Sequence, residues 1–359
     1  MHLLLSPPGD EALLLDELRR TGILPVALPS PIPATGGTPV LLLPAGPLVF
    51  CRQLLPNATA ETAPSIGAWA NLLFARLPAN GPWQLHVFAQ FGCSGASVKR
   101  RPFSDEHPAA HRAAATPANG GNRCRLIRET LLARLKQHRR QLLKSLTNGP
   151  FTPATSLVQL LLTAPDRGWL SIALAPLPHQ HRQLIVPFPG GEIPIATDKA
   201  APARAFAKLV EAEQRLGRPI AGNETCVDLG ASPGSWSYVA LQRGARVIAV
   251  DRAPLRTDLM QNPKLTYRQG DAFRFVPDQP VDWLLCDVIA APERSIELLL
   301  TWLRERRCRQ FVVTIKFKGR EDYAALDQVK RELPALCSEF WLTRLCANKN
   351  EACAFGVIA

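Results

Sequence analysis

From residue 203 onward, segments with helical spacing of apolar residues alternate with short apolar runs, and this alternation narrows the possible folds more than any other feature. Residues 203–216 read as a helix, 225–229 as a strand, 235–243 as a helix and 246–251 as a strand. Further strands are expected at 265–269, 281–287 and 310–315, with a helix over 293–306 before the last of these and a final strand after Glu351. Strands alternating with helices predict an α/β, Rossmann-like, doubly wound and mostly parallel sheet, whose ligands lie beyond the carboxyl ends of its strands. The predicted domain spans residues 200–359.

At 359 residues with 47% apolar content, the chain has room for a second core. Ahead of the alternating region, residues 1–90 read as a small α/β domain, with a helix near 10–20 and strand-like runs at 39–43 and 83–89. Residues 91–122 shift to Gly, Ser, Pro, Ala and Arg, the composition of a loop or linker. A helix over 123–146 follows, with Ile127, Leu131, Leu135, Leu142 and Leu146 near helical spacing, and Asn148-Gly149-Pro150 stops it. Two runs, 156–162 and 169–175, read as a strand pair, so residues 91–186 form a second region. Residues 187–199, rich in Pro and Gly at their start, are the expected linker.

The formal net charge is +12, which suits a polyanionic partner. Its distribution is uneven: residues 99–144 hold twelve Lys/Arg against three acids, nine of the net twelve positive charges. Nine cysteines without a C-x-x-C pair argue against a disulfide framework or a zinc site, and no metal is expected. The first residues are too soon charged for a signal peptide and no stretch reaches membrane-spanning length, so a cytoplasmic protein without a membrane partner is expected. All seven histidines lie at or before His181, so acid–base chemistry in the second half falls to Lys, Asp, Glu, Tyr or Cys.

The strand ending at Leu229 runs directly into Gly230-Ala231-Ser232-Pro233-Gly234-Ser235-Trp236 and then a helix. Glycines there let backbone approach a ligand, and the helix start offers free N–H donors. As a bare Gly-rich turn it equally fits a tight strand-to-helix connection. Asp251 closes the next strand, where a carboxylate can accept from both ribose hydroxyls of a nucleoside, and Asp271 follows the third, where it can accept from an adenine amino group. Each alone reads as a solvated strand-end acid; together, in register, they describe a nucleoside site. A pyrophosphate-binding G-x-G-x-x-G turn would need glycine at position 232, so a nicotinamide cofactor is disfavoured. A cofactor without phosphate and with a sulfonium cation, S-adenosylmethionine, matches Gly230, Ser232, Pro233, Gly234, Ser235, Trp236, Asp251 and Asp271, with Asp287 beside the sulfonium.

With these residues in place, the second half resembles the FtsJ-like ribose methyltransferases, and within them the RlmM family, which 2′-O-methylates a cytidine of bacterial large-subunit (23S) ribosomal RNA. The resemblance implies a Lys-Asp-Lys-Glu tetrad: Lys208 in Arg204-Ala205-Phe206-Ala207-Lys208-Leu209, Asp287 after Leu284-Leu285-Cys286, Lys316 after Val313-Thr314-Ile315, and Glu351 after Asn348-Lys349-Asn350. A ribose hydroxyl is a weak acid, and a lysine can take its proton only when neutral, a form favoured by burial or a second ammonium. On this reading Lys316 is the base and Lys208 favours its neutral form. Asp287 orients the ammonium, and Glu351 positions Lys208 or the ribose. Alignment for in-line displacement needs no metal. Taken singly, the four read as a surface lysine, a helix cap or a hairpin residue. The sequence departs from the family pattern at Ser232 and Ser235, where relatives carry Cys and Gly, and at Ala203, where a Ser often stands.

The resemblance also implies a THUMP-like RNA-binding region before the catalytic domain. Arg123, Arg125, Arg128, Arg134, Lys136, Arg139, Arg140 and Lys144 would track phosphates of RNA, a 23S ribosomal RNA or ribosome precursor, although a charge run also fits a solvated helix face. Trp236, Trp283 and Trp302 read as core rather than base-stacking platforms. A monomer is expected. Two alternatives compete with an active enzyme on ribosomal RNA: a non-catalytic RNA-binding or assembly protein that keeps the fold, and a methyltransferase of another RNA, a base or a small molecule. Base-amino enzymes of this fold usually show N/D-P-P-Y/F after the fourth strand, where this chain has Asp287-Val288-Ile289-Ala290.

Overall fold

A computed structural model describes residues 1–26, 37–91, 119–148, 152–319 and 321–359. The chain divides into two compact units, one of residues 1–44 and 52–194, the other of residues 45–51 and 195–359.

In the first unit, β1 (His2–Leu5), β2 (Thr38–Val40) and β3 (Gln53–Leu55) form an antiparallel sheet in the order β2-β1-β3, with α1 (Glu11–Arg20) following β1. A four-stranded sheet follows from β4 (Thr59–Thr62), β5 (Trp83–Ala89), β6 (Ser156–Ala164) and β7 (Arg167–Ala173), in the order β4-β7-β6-β5. β5 and β6 run parallel, which requires a crossover, and the chain makes it through α3 (Asn119–His138) and α4 (Arg140–Lys144). With α2 (Ile66–Arg76), α3 buries Trp69, Leu73, Ile127, Leu131 and Leu135 against β5 and β6. Ser65 caps α2 by accepting the Ala68 N–H at 3.1 Å. α5 (His179–Leu184) closes the unit's elements. The sheet thus joins strands from both sides of residue 90, and residues 1–90 and 91–186 share it.

The expected helix over 123–146 is two helices. Arg139 leaves helical geometry (φ −142°, ψ 59°) between α3 and α4, with its guanidinium over the Phe74 ring at 4.5 Å and donating to the Phe74 carbonyl at 3.2 Å. The break lets the chain turn so that Leu142 stays buried and its carbonyl accepts the buried Trp83 indole N–H at 2.8 Å. Most of the expected linker over 91–122, with Lys99, Arg100, Arg101 and Arg112, lies outside the described residues, and α3 begins at Asn119.

The second unit contains α6 (Phe206–Leu216), β8 (Thr225–Leu229), α7 (Ser235–Gln242), β9 (Arg246–Asp251), α8 (Thr257–Met260), β10 (Leu265–Gln269), β11 (Val281–Cys286), α9 (Pro292–Arg304), β12 (Cys308–Lys316), α10 (Leu326–Leu336), β13 (Cys337–Thr343) and β14 (Glu351–Ile358); the alternation matches the sequence reading except for α8, α10 and β13, which that reading does not contain. They build one seven-stranded sheet in the order β10-β9-β8-β11-β12-β14-β13. Strands β8 to β12 are parallel, while β14 runs antiparallel to β12 and to β13. The order reverses between β8 and β11, which opens a crevice at their carboxyl ends. Trp236, Trp283 and Trp302 are 2%, 0% and 2% exposed, as core residues should be. Among the described residues no helix is long and apolar enough to cross a membrane.

Candidate active site

Four side chains from four elements converge beyond the carboxyl ends of β11 and β12. Lys208 projects from the first turn of α6, Asp287 follows β11, Lys316 ends β12, and Glu351 begins β14. Lys316 and Glu351 are register partners across the β12–β14 ladder, which brings residues 35 positions apart onto the same face. The Lys208 ammonium lies 3.0 Å from Asp287 Oδ1 and 2.8 Å from Glu351 Oε1. Lys316 Nζ lies 2.9 Å from Asp287 Oδ1 and donates to the Asp287 carbonyl oxygen at 2.8 Å. Burial favours the neutral form of Lys208, but the flanking carboxylates of Asp287 and Glu351 outweigh it and hold the pKa above the ordinary lysine value. Lys208 is therefore a fixed cation. Asp287 stands between Lys208 and Lys316 and contacts both.

Thr314, not singled out from the sequence, donates its hydroxyl to Asp287 Oδ1 at 2.6 Å and is fully buried. Strand periodicity could have found it, since it sits two residues before Lys316 on the same face of β12. The elements holding the lysines are themselves tied down by buried polar groups. Glu211 of α6 accepts from Arg215 at 2.8 Å and from the Cys346 N–H at 2.8 Å, and Gly217 ends the helix in the left-handed conformation (φ 67°).

The Gly230–Trp236 turn lies at the carboxyl end of β8. Gly230 has φ 74°, and a Cβ there would meet Val288 Cγ2 at 2.7 Å, so only glycine lets the turn lie against the loop that follows Asp287. The Ser232 N–H donates to Asp251 Oδ2 at 2.9 Å, and the Ala253 N–H to Asp251 Oδ1 at 2.9 Å. These bonds fix Asp251 at the end of β9 while leaving further acceptor positions on its oxygens. Asp271, beyond β10, accepts from the Phe273 N–H at 3.0 Å and from Arg252 at 2.9 Å. The Phe273 bond, opposed by desolvation and assisted by Arg252, holds its carboxyl below the usual range.

Two of the expected cofactor side chains turn elsewhere. The Trp236 indole donates to the Ala205 carbonyl at 2.8 Å and Ser235 Oγ to the Ala203 carbonyl at 3.3 Å, so both anchor the start of α6 and leave only their backbone to the crevice. Beneath the turn, Asp228 is 2% exposed and accepts from the Ser237 N–H (2.8 Å) and hydroxyl (2.7 Å), joining β8 to α7. Burial raises its carboxyl to about 7.

The basic candidates of the first unit do not form one open stripe. Arg125, Arg134, Lys136, Arg139, Arg140 and Lys144 are exposed, but Arg125 pairs with Glu129 at 2.6 Å and Arg134 donates to Asn71. Arg123 is half-buried, as is Arg128, which donates to the Leu85 carbonyl at 2.9 Å; burial lowers the Arg128 pKa.

Residues 201–320 match the family model described as FtsJ-like methyltransferase. The chain is 38% identical over 157 residues to "Ribosomal RNA large subunit methyltransferase M" of Pseudomonas putida strain W619, covering 41% of this chain and 42% of that protein. It is 40% identical over 139 residues to the protein of the same name from Pseudomonas fluorescens strain SBW25, covering 37% and 38%. The match thus spans about two fifths of the length of these curated relatives. Among solved structures, the fibrillarin pre-rRNA processing protein of Methanococcus jannaschii overlaps 43% of this chain and 76% of its own, at 17% identity and a TM-score of 0.31. Residues 201–320 of this chain are an FtsJ-like methyltransferase domain.

Proposed function

We propose that the protein is an S-adenosylmethionine-dependent ribose 2′-O-methyltransferase acting on large-subunit ribosomal RNA, on a cytidine as the family resemblance implies. The observation that carries this reading is the run of contacts from Lys316 to Asp287, from Asp287 to Lys208 and from Lys208 to Glu351 at the mouth of the crevice. The crevice suits the cofactor: a turn where a side chain at Gly230 would collide, two carboxylates at the ends of β9 and β10, and Asp287 across from them. When bound, S-adenosylmethionine supplies an electrophilic methyl group and a fixed positive charge. Asp251 would accept from its ribose hydroxyls and Asp271 from its adenine amino group, with Gly230, Ser232, Pro233 and Gly234 lining the turn.

Lys316, in its neutral form, accepts the proton of the 2′-hydroxyl at Nζ and becomes an ammonium as the oxygen becomes a nucleophile. Lys208, held as a cation by two carboxylates, stabilises the oxygen as charge builds on it. Asp287 fixes both lysine side chains, and Glu351 keeps Lys208 in place. In the first unit, a THUMP-like role in RNA binding rests on the exposed cations, above all Lys136 and Lys144. A cytoplasmic enzyme working as a monomer is part of the same proposal.

Incubation with methyl-labelled cofactor and unmodified large-subunit ribosomal RNA should place label on a ribose 2′-oxygen. Lys316→Ala should lower kcat by about 10²–10⁴, the range for loss of a general base, while cofactor binding persists. No ribose label, or undiminished turnover in Lys316→Ala, overturns the assignment.

A further inference from the structure

In an RNA strand the carbon bearing the 2′-hydroxyl is bonded to the carbon whose oxygen carries the next phosphodiester, so the reacting oxygen arrives with an anion beside it. The tetrad offers that anion no net attraction. Even with both lysines protonated, their charges are matched by the carboxylates of Asp287 and Glu351 beside them, and with Lys316 neutral, as proton abstraction requires, the four groups carry a net negative charge. A phosphate brought to this pocket meets two carboxylates and needs cations at the rim.

The rim has them at defined places. Beyond the Lys316–Glu351 register pair, the Phe317 N–H donates to the Asn350 carbonyl at 2.9 Å, and Asn350 Nδ2 donates back to the Phe317 carbonyl at 2.9 Å. The next residues outward are Lys318 on one strand and Lys349 on the other, and both are exposed. Their backbone is fixed from below. Phe317 and Tyr323 are 7% and 6% exposed with ring centroids 4.8 Å apart, and the Tyr323 hydroxyl donates to Asn350. The Lys349 N–H donates to Glu351 Oε1 at 3.2 Å, and its carbonyl accepts from Arg344.

We propose that Lys318 and Lys349 hold the phosphodiester on the 3′ side of the reacting ribose. The assignment rests on the ribose-methylation reading above. It makes the two lysines positioning residues for the substrate, separate from the groups that move the proton.

The test compares Lys318→Ala/Lys349→Ala with a charge-matched control, Arg246→Ala/Lys264→Ala, which removes two cations at the amino ends of β9 and β10, the opposite edge of the sheet from the crevice. With unmodified large-subunit ribosomal RNA transcript, the lysine variant should raise KM at least tenfold with little change in kcat. It should also lower the slope of log binding constant against log salt by about 1. S-adenosylhomocysteine binding should stay at the wild-type level, and Lys318→Arg/Lys349→Arg should restore KM. An unchanged KM, an equal effect in the control, a parallel loss of S-adenosylhomocysteine binding, or an Arg variant as poor as the Ala variant overturns the assignment. Should wild-type protein bind the transcript without methylating it, the ribose-methylation reading fails, while the salt slope measured by filter binding still decides the role of the two lysines.

Discussion

Asp287 Oδ1 accepts hydrogen bonds from Lys208 and Thr314 with Lys316 Nζ 2.9 Å away, and a carboxylate so engaged is held in one orientation. Replacing Thr314 with Val keeps the shape and removes a hydrogen bond to a charged group, worth about 1.5–3 kcal/mol. If felt wholly in the reaction, that corresponds to roughly a ten- to hundredfold fall in kcat, with recovery in Thr314→Ser. A Val variant with normal turnover would show that Asp287 is held without this bond. Asp228 carries a different consequence. Between the ordinary carboxylate value of about 3.9 and about 7, the native protein keeps a proton that the unfolded chain has released, so this residue lowers stability as pH rises through that window. Asn at this position can accept both Ser237 bonds and has no proton to lose. The urea midpoint of Asp228→Asn relative to wild type should therefore move in favour of Asn between pH 5 and pH 8; a gap that does not change with pH contradicts the argument.

The turn after β8 and the helix pair after residue 119 show opposite degrees of legibility. The turn was readable because glycine spacing and the flanking strand and helix patterns are local, and its backbone has the positive φ at Gly230 and Gly234 that glycines permit. Gly230→Ala should cost about 1–2 kcal/mol for the left-handed backbone alone. The contact with Val288 adds to this and displaces the Asp287 loop, so both the urea midpoint and methylation should fall together. By contrast, nothing in the spacing of Ile127, Leu131, Leu135 and Leu142 marks the break at Arg139, because the apolar stripe continues across it. The break follows from the Phe74 ring and the Trp83 indole, which belong to other elements. The inward turn of Arg128 has the same origin: its partner is the Leu85 carbonyl on β5.

At the scale of the chain, the second unit includes a segment far from the rest of it in sequence, residues 45–51. The Val49 carbonyl accepts the Arg344 N–H at 3.1 Å, and Phe50, 1% exposed, meets the Tyr323 ring at 4.9 Å. Tyr323 in turn braces Asn350, so this short segment supports the end of the β12–β14 ladder that carries Lys316 and Glu351. Phe50→Ala should destabilise the second unit by about 3–5 kcal/mol, as for other buried aromatics, measurable by urea unfolding. A loss under 1 kcal/mol would mean that the segment is peripheral.

The sequence by itself determined the order of strands and helices in the second unit apart from α8, α10 and β13, because apolar periodicity and turn residues act over a few positions. The Gly-rich turn was legible from its local context, and the family resemblance named the four ionisable groups that the structure brings together. Only the tertiary structure decided how those groups pair: that Asp287 bridges both lysines, that Glu351 serves Lys208, and that Thr314 and a segment near residue 50 support them. The physical reason is that periodicity specifies which face a side chain takes, whereas a hydrogen bond depends on the approach of elements distant in sequence to within about 3 Å.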